Sequence, residues 1–476
     1  MPRFTRFNIF SLLFLIPVLF LLNSCATGGG YSNRAKPWDY KPPQQQAQQA
    51  PNPLSESPGD NSQNKSAERN ILNNPGIESE PLDAGNMGGA MAGTHTQPAA
   101  AQSNLPAIKV ALLLPLSGQH KRLGQSMLKA AQMALFDIGY DSFELLPKDT
   151  KGTPDGAQSA AQSALDDGAQ FILGPVFSQS VRAAKNVTRR AGINMIAFST
   201  DWTQAGGNAY MMGFLPFDQI ERVVSYAQSQ GIQRVGVLAP TTDYGNAVMN
   251  AYRSATASMG INTVDTVQFA AGDSGLSTTV RNFARYDARN AAAQSAAQSG
   301  APTIPPPFDA VLMPVGGEMA RSMASMLSQY DLGPSNVKRL GTGLWDDAGL
   351  ASEPSLDGGW FAAPSPRARA SFEDRYNMLY KTPAPRLASL AYDATALAAI
   401  LGRHDLQQQG RPAFDHSAIT NPNGFAGIDG IFRFRSDGIV ERGLAVLEFR
   451  KGRVVVIDDA PRTFQQQPGQ EQYSRY

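Results

Sequence analysis

Residues 108–118, IKVALLLPLSG, decide how the rest of the chain is interpreted. The run before Pro115 is apolar apart from Lys109, and residues 123–138 then repeat apolar side chains at helical spacing. A short apolar run favours a buried strand, and a longer periodic segment favours an amphipathic helix. The folded part of the chain is therefore predicted to begin with a strand, a loop and a helix.

This alternation continues in two series along the chain. The first series has predicted strands at 143–147, 171–174 and 195–198 and predicted helices at 155–167 and 178–191. The second has predicted helices at 219–230, 245–259, 278–293 and 317–330 and predicted strands at 234–238, 263–269, 310–314 and 339–341. Alternating strands and helices form parallel sheets that are covered on both faces. The predicted fold class is α/β, with two doubly wound parallel-sheet lobes.

The last part of the chain has a different pattern. The turn signals SDG at 436–438 and RKG at 450–452 separate apolar runs over 430–435, 444–449 and up to Ile457. Tight turns between alternating runs predict antiparallel strands. Residues 459–476 are predicted to be a flexible tail.

The beginning of the chain has the pattern of an export signal. Two arginines precede residue 7, and an apolar run over 12–22 leads to the tetrad Leu22–Asn23–Ser24–Cys25. This run is shorter than the roughly 20 residues that a membrane-spanning helix needs. The prediction is a signal peptide over residues 1–24. The tetrad resembles the bacterial lipobox, which implies a lipid anchor on Cys25, and Ala26 implies the outer rather than the inner membrane. An incidental cysteine after a signal peptide is the alternative.

Residues 25–106 lack apolar periodicity and are rich in Gln, Pro, Gly, Asn and Ser. Such a composition cannot bury enough apolar surface to offset the entropy of ordering, so this segment is predicted to be a disordered tether. Trp38 and Tyr40 could form a short recognition patch within it, or the whole segment could be a passive spacer.

Composition excludes several classes of function. The 476 residues carry a formal net charge of +1, and a neutral chain has no general electrostatic affinity for nucleic acid. A single cysteine cannot form an intramolecular disulfide, and the four histidines lack metal-ligand spacing. We therefore expect no metal, no cofactor and no nucleic-acid partner.

Two further features are a match to a catalytic motif and a cluster of basic residues near the end of the chain. Ser126 and Lys129 match the SxxK nucleophile pattern, but they lie inside a predicted amphipathic helix and lack the S-D-N and K-T-G elements. We therefore predict no catalytic residue and no enzyme activity. The basic residues at 433–435 and 450–453 are typical of a solvated sheet edge, or they form a contact face for an acidic partner.

Several sequence blocks resemble those of the type 1 periplasmic binding fold of leucine/isoleucine/valine-binding proteins. They are PLSG at 115–118 with Gly124, GPVFS at 174–178, AFST at 197–200, DYG at 243–245, GGEM at 316–319 and GIDGIFRF at 427–434. The resemblance implies one bilobed domain over 107–458. It places 107–215 and 366–427 in the first lobe and 216–365 and 428–458 in the second, with three crossings between the lobes.

The same resemblance implies a ligand cleft. In that family a hydroxyl and backbone N–H groups of the first lobe bind an amino acid's carboxylate, which implies roles for Ser178, Ser199 and Thr200. Tyr244 matches an aromatic residue that closes over the ligand. The family's glutamate for the ligand ammonium is absent after Gly341, and Asp346 is the nearest carboxylate. Ser178 as a helix N-cap and Tyr244 as a packing residue remain open.

The lipobox, the tether and the blocks LPLSG, IAFSTD and GLWDD together are most similar to penicillin-binding-protein activator lipoproteins. This resemblance implies a periplasmic lipoprotein, held at the outer membrane, that binds and stimulates a bifunctional peptidoglycan synthase. The alternative is a solute-binding protein whose cleft delivers an amino acid or another small carboxylate ligand to an ABC transporter.

Overall fold

In a computed structural model, the structure describes residues 107–257, 259–270, 272–347, 349–409 and 412–464, and the backbone of the short strands Asn73–Asn74 and Ile77–Glu78. The predicted signal peptide over 1–24, Cys25, nearly all of the tether over 25–106 and most of the tail over 459–476 lie outside the described residues. Within those residues, no helix is long and apolar enough to cross a membrane.

The first lobe is built on a five-stranded parallel sheet. Its strands are β1 Ile108–Leu114, β2 Phe143–Asp149, β3 Phe171–Leu173, β4 Met195–Ala197 and β5 Ala209–Met211, and its first helices are α1 Lys121–Ile138, α2 Pro154–Asp166 and α3 Ser178–Arg190. The strand order is β2-β1-β3-β4-β5. Val110 and Leu112 of β1 face a core that includes Met127 of α1, whereas Leu113 faces Val181 of α3. Alternate side chains of β1 are thus buried on opposite faces, as expected of a doubly wound sheet.

The second lobe repeats this arrangement. Its elements are α4 Pro216–Ser229, β6 Arg234–Pro240, α5 Asp243–Thr256, β7 Asn262–Phe269, α6 Leu276–Phe283, α7 Tyr286–Ser299, β8 Ala310–Leu312, α8 Gly317–Gln329, β9 Lys338–Gly341 and β10 Trp360–Ala363. The parallel order is β10-β9-β8-β6-β7. The single helix predicted over 278–293 is divided into α6 and α7 because Arg285 adopts a left-handed conformation with φ 50°.

After β10 the chain returns to the first lobe and then crosses once more. The returning elements are α9 Pro366–Tyr380, α10 Ala388–Gln409, α11 His416–Ile419, β11 Phe425–Gly427, β12 Gly430–Phe434 and β13 Val440–Arg442, and β14 Ala445–Arg450 and β15 Arg453–Asp458 follow in the second lobe. The strand β14 pairs antiparallel with β10, and β15 pairs antiparallel with β14, as predicted from the turn signal between them.

The structure moves one predicted lobe boundary. Residues 428–442 were expected in the second lobe, but Phe432 and Phe434 are buried in the core of the first lobe. The Phe434 ring lies 5.6 Å from that of Tyr210 in β5, and Ile439 forms a bridge with Met211. The apolar faces of β12 and β13 therefore fix this segment on the first lobe, and the last crossing comes after Arg442. The predicted α/β class with two parallel-sheet lobes is confirmed.

Two glycines keep the strand-end loops tight in both lobes. A Cβ on Gly124 would lie 2.1 Å from the Pro115 carbonyl oxygen, and one on Gly245 would lie 1.9 Å from that of Pro240. Only glycine allows a helix backbone to approach these carbonyls so closely. As a result α1 and α5 begin directly against the loops that follow β1 and β6, at the carboxyl ends of the sheets, where ligands bind in this class of fold.

Candidate cleft site

The first lobe presents hydroxyl groups at the carboxyl ends of its strands. Ser178 is the first residue of α3, but the N-cap is Phe177, and the Ser178 side chain does not cap the helix. The N-cap alternative for Ser178 is therefore wrong. Its hydroxyl instead donates to the carboxylate of Asp201, in the loop after β4.

Asp201 forms hydrogen bonds with Ser178 and Ser199, two of the first-lobe residues expected to hold a ligand. Its carboxylate accepts hydrogen bonds from the Thr203 hydroxyl at 2.5 Å, the Thr203 backbone N–H at 3.1 Å and the Gln204 amide at 3.2 Å. Its own N–H donates to the Ser199 hydroxyl at 3.0 Å, and the Thr200 side chain is exposed. Burial acts to raise the pKa of Asp201, but the hydrogen bonds from Ser178, Thr203 and Gln204 outweigh it and leave the pKa lowered.

A second carboxylate, at the end of another strand of the same sheet, also accepts several hydrogen bonds. Asp149, the last residue of β2, accepts from the Ser117 hydroxyl at 2.5 Å and from the N–H groups of Leu116 at 2.9 Å and Lys151 at 2.8 Å. These hydrogen bonds outweigh burial and lower the pKa of Asp149. Neither aspartate was predicted as a site residue, although Asp149 and Asp201 lie two and three residues after predicted strands.

In the second lobe, Tyr244 lies in the first turn of α5 and is partly buried. Its hydroxyl donates to the Thr342 hydroxyl at 2.8 Å, in the loop after β9. Burial raises the pKa of Tyr244 to about 12, and the hydrogen bond to Thr342 lowers it only in part. The phenol is therefore neutral and is fixed to the loop that also carries Asp346.

Asp346 joins the two lobes. Its carboxylate lies 2.8 Å from the Arg369 guanidinium of α9 and 3.3 Å from that of Arg386, just before α10, and its side chain is only 12% exposed. Arg369 also pairs with Glu373 at 2.8 Å. The carboxylate expected to face a ligand ammonium thus pairs with two arginines of the opposite lobe. Sequence analysis could not reveal this, because both partners lie far along the chain.

The ion pairs continue into a buried network beside the crossings. Arg386 lies 2.9 Å from the carboxylate of Asp429, which is fully buried and also accepts from Ser389 at 2.6 Å. The Arg386 guanidinium lies 3.8 Å from the centre of the Phe214 ring, in the first crossing segment. Such stacking on an aromatic face adds to the charge pairing.

Arg442 and Asp393 complete this network. Arg442, directly before the last crossing, is 6% exposed and donates to the Met212 carbonyl at 2.7 Å. Asp393 of α10 is 2% exposed and accepts from the Ile428 N–H at 2.8 Å. Burial, reinforced by the charge of Asp429, raises the pKa of Asp393 to about 7.

The remaining predicted sites have structural partners. The Ser126 hydroxyl donates to the Arg122 carbonyl at 2.9 Å, and the Lys129 amine lies 4.9 Å from the centre of the Tyr380 ring. The basic strands carry matching acids, in the pairs Arg433–Glu441, Arg435–Asp437 and Arg450–Glu448. In the part of the chain that the structure describes, no group of three His, Cys, Asp or Glu side chains could hold a metal ion.

The fold and this cleft define a two-lobed binding protein of the type 1 periplasmic class. The sequence profile described as periplasmic binding protein matches residues 107–453. The chain therefore belongs to the periplasmic binding protein family.

Known proteins resemble this chain over parts of its length. It is 24% identical over 184 residues to the Leu/Ile/Val/Thr-binding protein of Salmonella typhimurium, covering 36% of this chain and 50% of that protein. It is 28% identical over 144 residues to the penicillin-binding protein activator LpoA of Glaesserella parasuis, covering 30% of this chain and 24% of that protein. The chain thus spans half of the first curated relative and about a quarter of the second.

The fold similarity covers more of the chain. The solved ABC transporter substrate-binding protein from Sphaerobacter thermophilus superposes with a TM-score of 0.57 at 18% identity, covering 75% of this chain and 98% of that chain. At this level of identity the likeness establishes the fold and leaves the ligand open.

We predict that Asp346→Asn loosens the contact between the lobes. Removing the charge leaves Arg369 and Arg386 without their shared partner in a largely buried place, at a cost of roughly 1–3 kcal/mol in the free energy of unfolding. Urea unfolding and hydrogen exchange at the crossing segments measure the effect. The matched control is Asp347→Asn, because Asp347 is exposed and its carboxylate accepts from the Gly349 N–H of its own loop. Equal behaviour of the two variants would contradict the bridging role of Asp346.

We also predict a pH dependence that Asp393 causes. Between the ordinary Asp pKa of 3.8 and about 7, the folded chain keeps a proton that the unfolded chain loses. The contribution of Asp393 to the free energy of unfolding therefore falls as pH rises through this window, by at most about 1.4 kcal/mol per pH unit. Asp393→Asn retains the acceptor for Ile428 and should remove that contribution.

Urea unfolding at pH 4.5, 6 and 7.5 checks this expectation. The difference between wild type and Asp393→Asn should grow in favour of the variant as pH rises. Asp374→Asn, at an exposed position of α9, is the control and should follow the wild-type profile. Parallel profiles for wild type and Asp393→Asn would show that Asp393 does not carry the buried proton.

Proposed function

We propose that this chain is a non-enzymatic periplasmic protein that activates a bifunctional peptidoglycan synthase by direct contact. The observation that carries the proposal is that the chain's own side chains pair with the groups that the family resemblance assigns to the two charged ends of a ligand. Asp201 takes the hydroxyl of Ser178 in the first lobe, and two arginines take Asp346 of the second.

These internal pairs disfavour an amino acid as the ligand. A ligand carboxylate at Ser178 would meet the carboxylate of Asp201, whose lowered pKa keeps it ionised, and like charges at such short range repel. A ligand ammonium at Asp346 would have to displace two guanidinium groups. Either step consumes binding energy that a solute-binding protein would use for affinity.

Protein contact needs a fixed surface more than an open cleft. The pairs of Asp346 with Arg369 and Arg386 tie the lobes in one arrangement, so the surface that spans them is defined without a ligand. If the active form of a partner enzyme binds this surface more tightly than the inactive form does, binding shifts the partner toward its active form. The partial similarity to a penicillin-binding protein activator supports a synthase as the partner.

The anchor is part of the same proposal. A lipid on Cys25 at the outer membrane, followed by a tether over 25–106, would let the domain reach a partner across the periplasm, since about 80 flexible residues span roughly 50 Å on average. We expect the wild-type chain to take up labelled fatty acid and fractionate with outer membranes. Cys25→Ser should lose the label, and a Cys25→Ser chain that is still labelled would exclude this anchor.

The second candidate is a solute-binding protein that feeds an ABC transporter. The similarity to a Leu/Ile/Val/Thr-binding protein supports it, as do the positions of Ser178 and Tyr244 at the ends of their sheets. In this case a small carboxylate ligand would replace Asp201 on the Ser178 hydroxyl.

One experiment separates the two candidates. The purified protein is mixed with a bifunctional peptidoglycan synthase, and the rate of glycan polymerisation is measured. Separately, the melting temperature of the protein alone is measured in the presence of leucine, isoleucine, valine or threonine. We expect a faster synthase, a complex that co-purifies, and no change in melting temperature. A ligand at a hundredfold excess over its Kd would stabilise a solute binder by about 2.7 kcal/mol.

Ser178→Ala is the matched variant. If contact is the function, Ser178→Ala activates the synthase as well as wild type does. If solute binding is the function, wild type is stabilised by one of the amino acids, Ser178→Ala loses that stabilisation, and the synthase rate does not change. The second result would replace the proposed function by the alternative.

A further inference from the structure

A groove on the outside of the first lobe lies away from the cleft. It has a volume of about 670 Å³ and runs between α2 and α3. Its lining residues are Gln158, Ser159, Gln162, Ser163, Leu165, Asp166, Val187, Arg190 and Ala191. This volume falls within the range of small-molecule sites, and the α2 wall carries two glutamine and two serine side chains.

The α3 wall of this groove continues into a basic helix face. Arg182, Asn186, Arg189 and Arg190 are exposed and follow each other at helical spacing, opposite the buried Val181. We call Arg182, Arg189 and Arg190 the α3 arginines. The helix contains no acidic residue. The described residues place no carboxylate within ion-pair distance of these three guanidinium groups.

The other basic residue of α3 behaves differently. The Lys185 amine donates to the Gln204 carbonyl at 2.7 Å and is thereby bound to the loop that contains Asp201. The one acidic residue of the groove, Asp166, accepts from the Gln162 amide at 2.9 Å on the α2 wall. The lining itself carries one arginine and one aspartate, and the exposed Arg182 and Arg189 add positive charge on the α3 side of the groove.

We propose that this groove and the α3 arginines bind a sugar chain that carries carboxylates. Guanidinium groups form two parallel hydrogen bonds with a carboxylate, which fixes its orientation as well as its charge. The glutamine and serine side chains of α2 match the donors and acceptors of sugar hydroxyl groups. The inference is independent of the synthase, because the groove lies on α2 and α3 and uses none of the cleft residues.

An acidic protein segment fits this groove less well. The centre of a protein interface is enriched in aromatic side chains, methionine and other apolar anchors. The groove lining contains no aromatic residue and no methionine, and Leu165 and Val187 are its only large apolar side chains. A hydroxyl-rich ligand therefore suits the walls better than a peptide does.

The test is a titration of the full chain with three probes. They are soluble peptidoglycan glycan strands that retain their lactyl carboxylates, the neutral oligosaccharide chitotetraose, and poly-glutamate as an acidic polypeptide. We expect the carboxylate-bearing strands to bind at least tenfold more tightly than chitotetraose, with an affinity that falls as salt rises. Arg189→Ala combined with Arg190→Ala should weaken that binding about tenfold.

Arg253→Ala is the control, because Arg253 is also exposed but lies on α5 of the second lobe. It should bind like wild type, and circular dichroism should show all variants folded. Three results would overturn the proposal. They are no binding of the glycan strands, equal losses in the control and the double variant, or preferential binding of poly-glutamate, which would assign the α3 arginines to an acidic protein.

Discussion

The ion pairs of Asp346 with Arg369 and Arg386 are the contact on which the relation between the lobes depends. The carboxylate belongs to the loop after β9, and both guanidinium groups belong to segments that pack on the first lobe. Because all three side chains are largely withdrawn from water, their attraction is little screened by salt. Arg386 passes the interaction on to the fully buried Asp429, so the loop of one lobe is tied to the interior of the other.

This arrangement explains why charged residues are buried beside the crossings. A buried charge is costly unless an opposite charge and hydrogen bonds surround it. Asp429 has Arg386 and Ser389, and Arg442 donates to a carbonyl of the first crossing segment while its guanidinium lies 4.9 Å from the centre of the Phe214 ring. Removing Arg386 would leave the buried charge of Asp429 without its ion-pair partner, which is costly in the interior beside the crossing segments.

The sequence predicted the repeating elements well, because apolar periodicity is local and strong in both lobes. Prediction failed for the features that depend on contacts between residues distant in the sequence. The strands β12 and β13 alternate correctly as strands, but only their packing against Tyr210 assigns them to the first lobe. At the candidate site, the serine, tyrosine and Asp346 positions were predicted, whereas the residues that pair with them were not. Asp201 lies 23 residues from Ser178, and Asp346 lies 23 residues from Arg369, separations that no local pattern reveals.

A binding protein that closes on a solute depends on that solute to favour the closed arrangement, because only differential affinity shifts a conformational equilibrium. Here the two arginines at Asp346 supply such an interaction between the lobes from the chain itself. Under the proposed function, the arrangement of the lobes does not depend on the concentration of a small molecule. Recognition then falls to the outer surface, and a constant outer surface suits a large partner better than a small one.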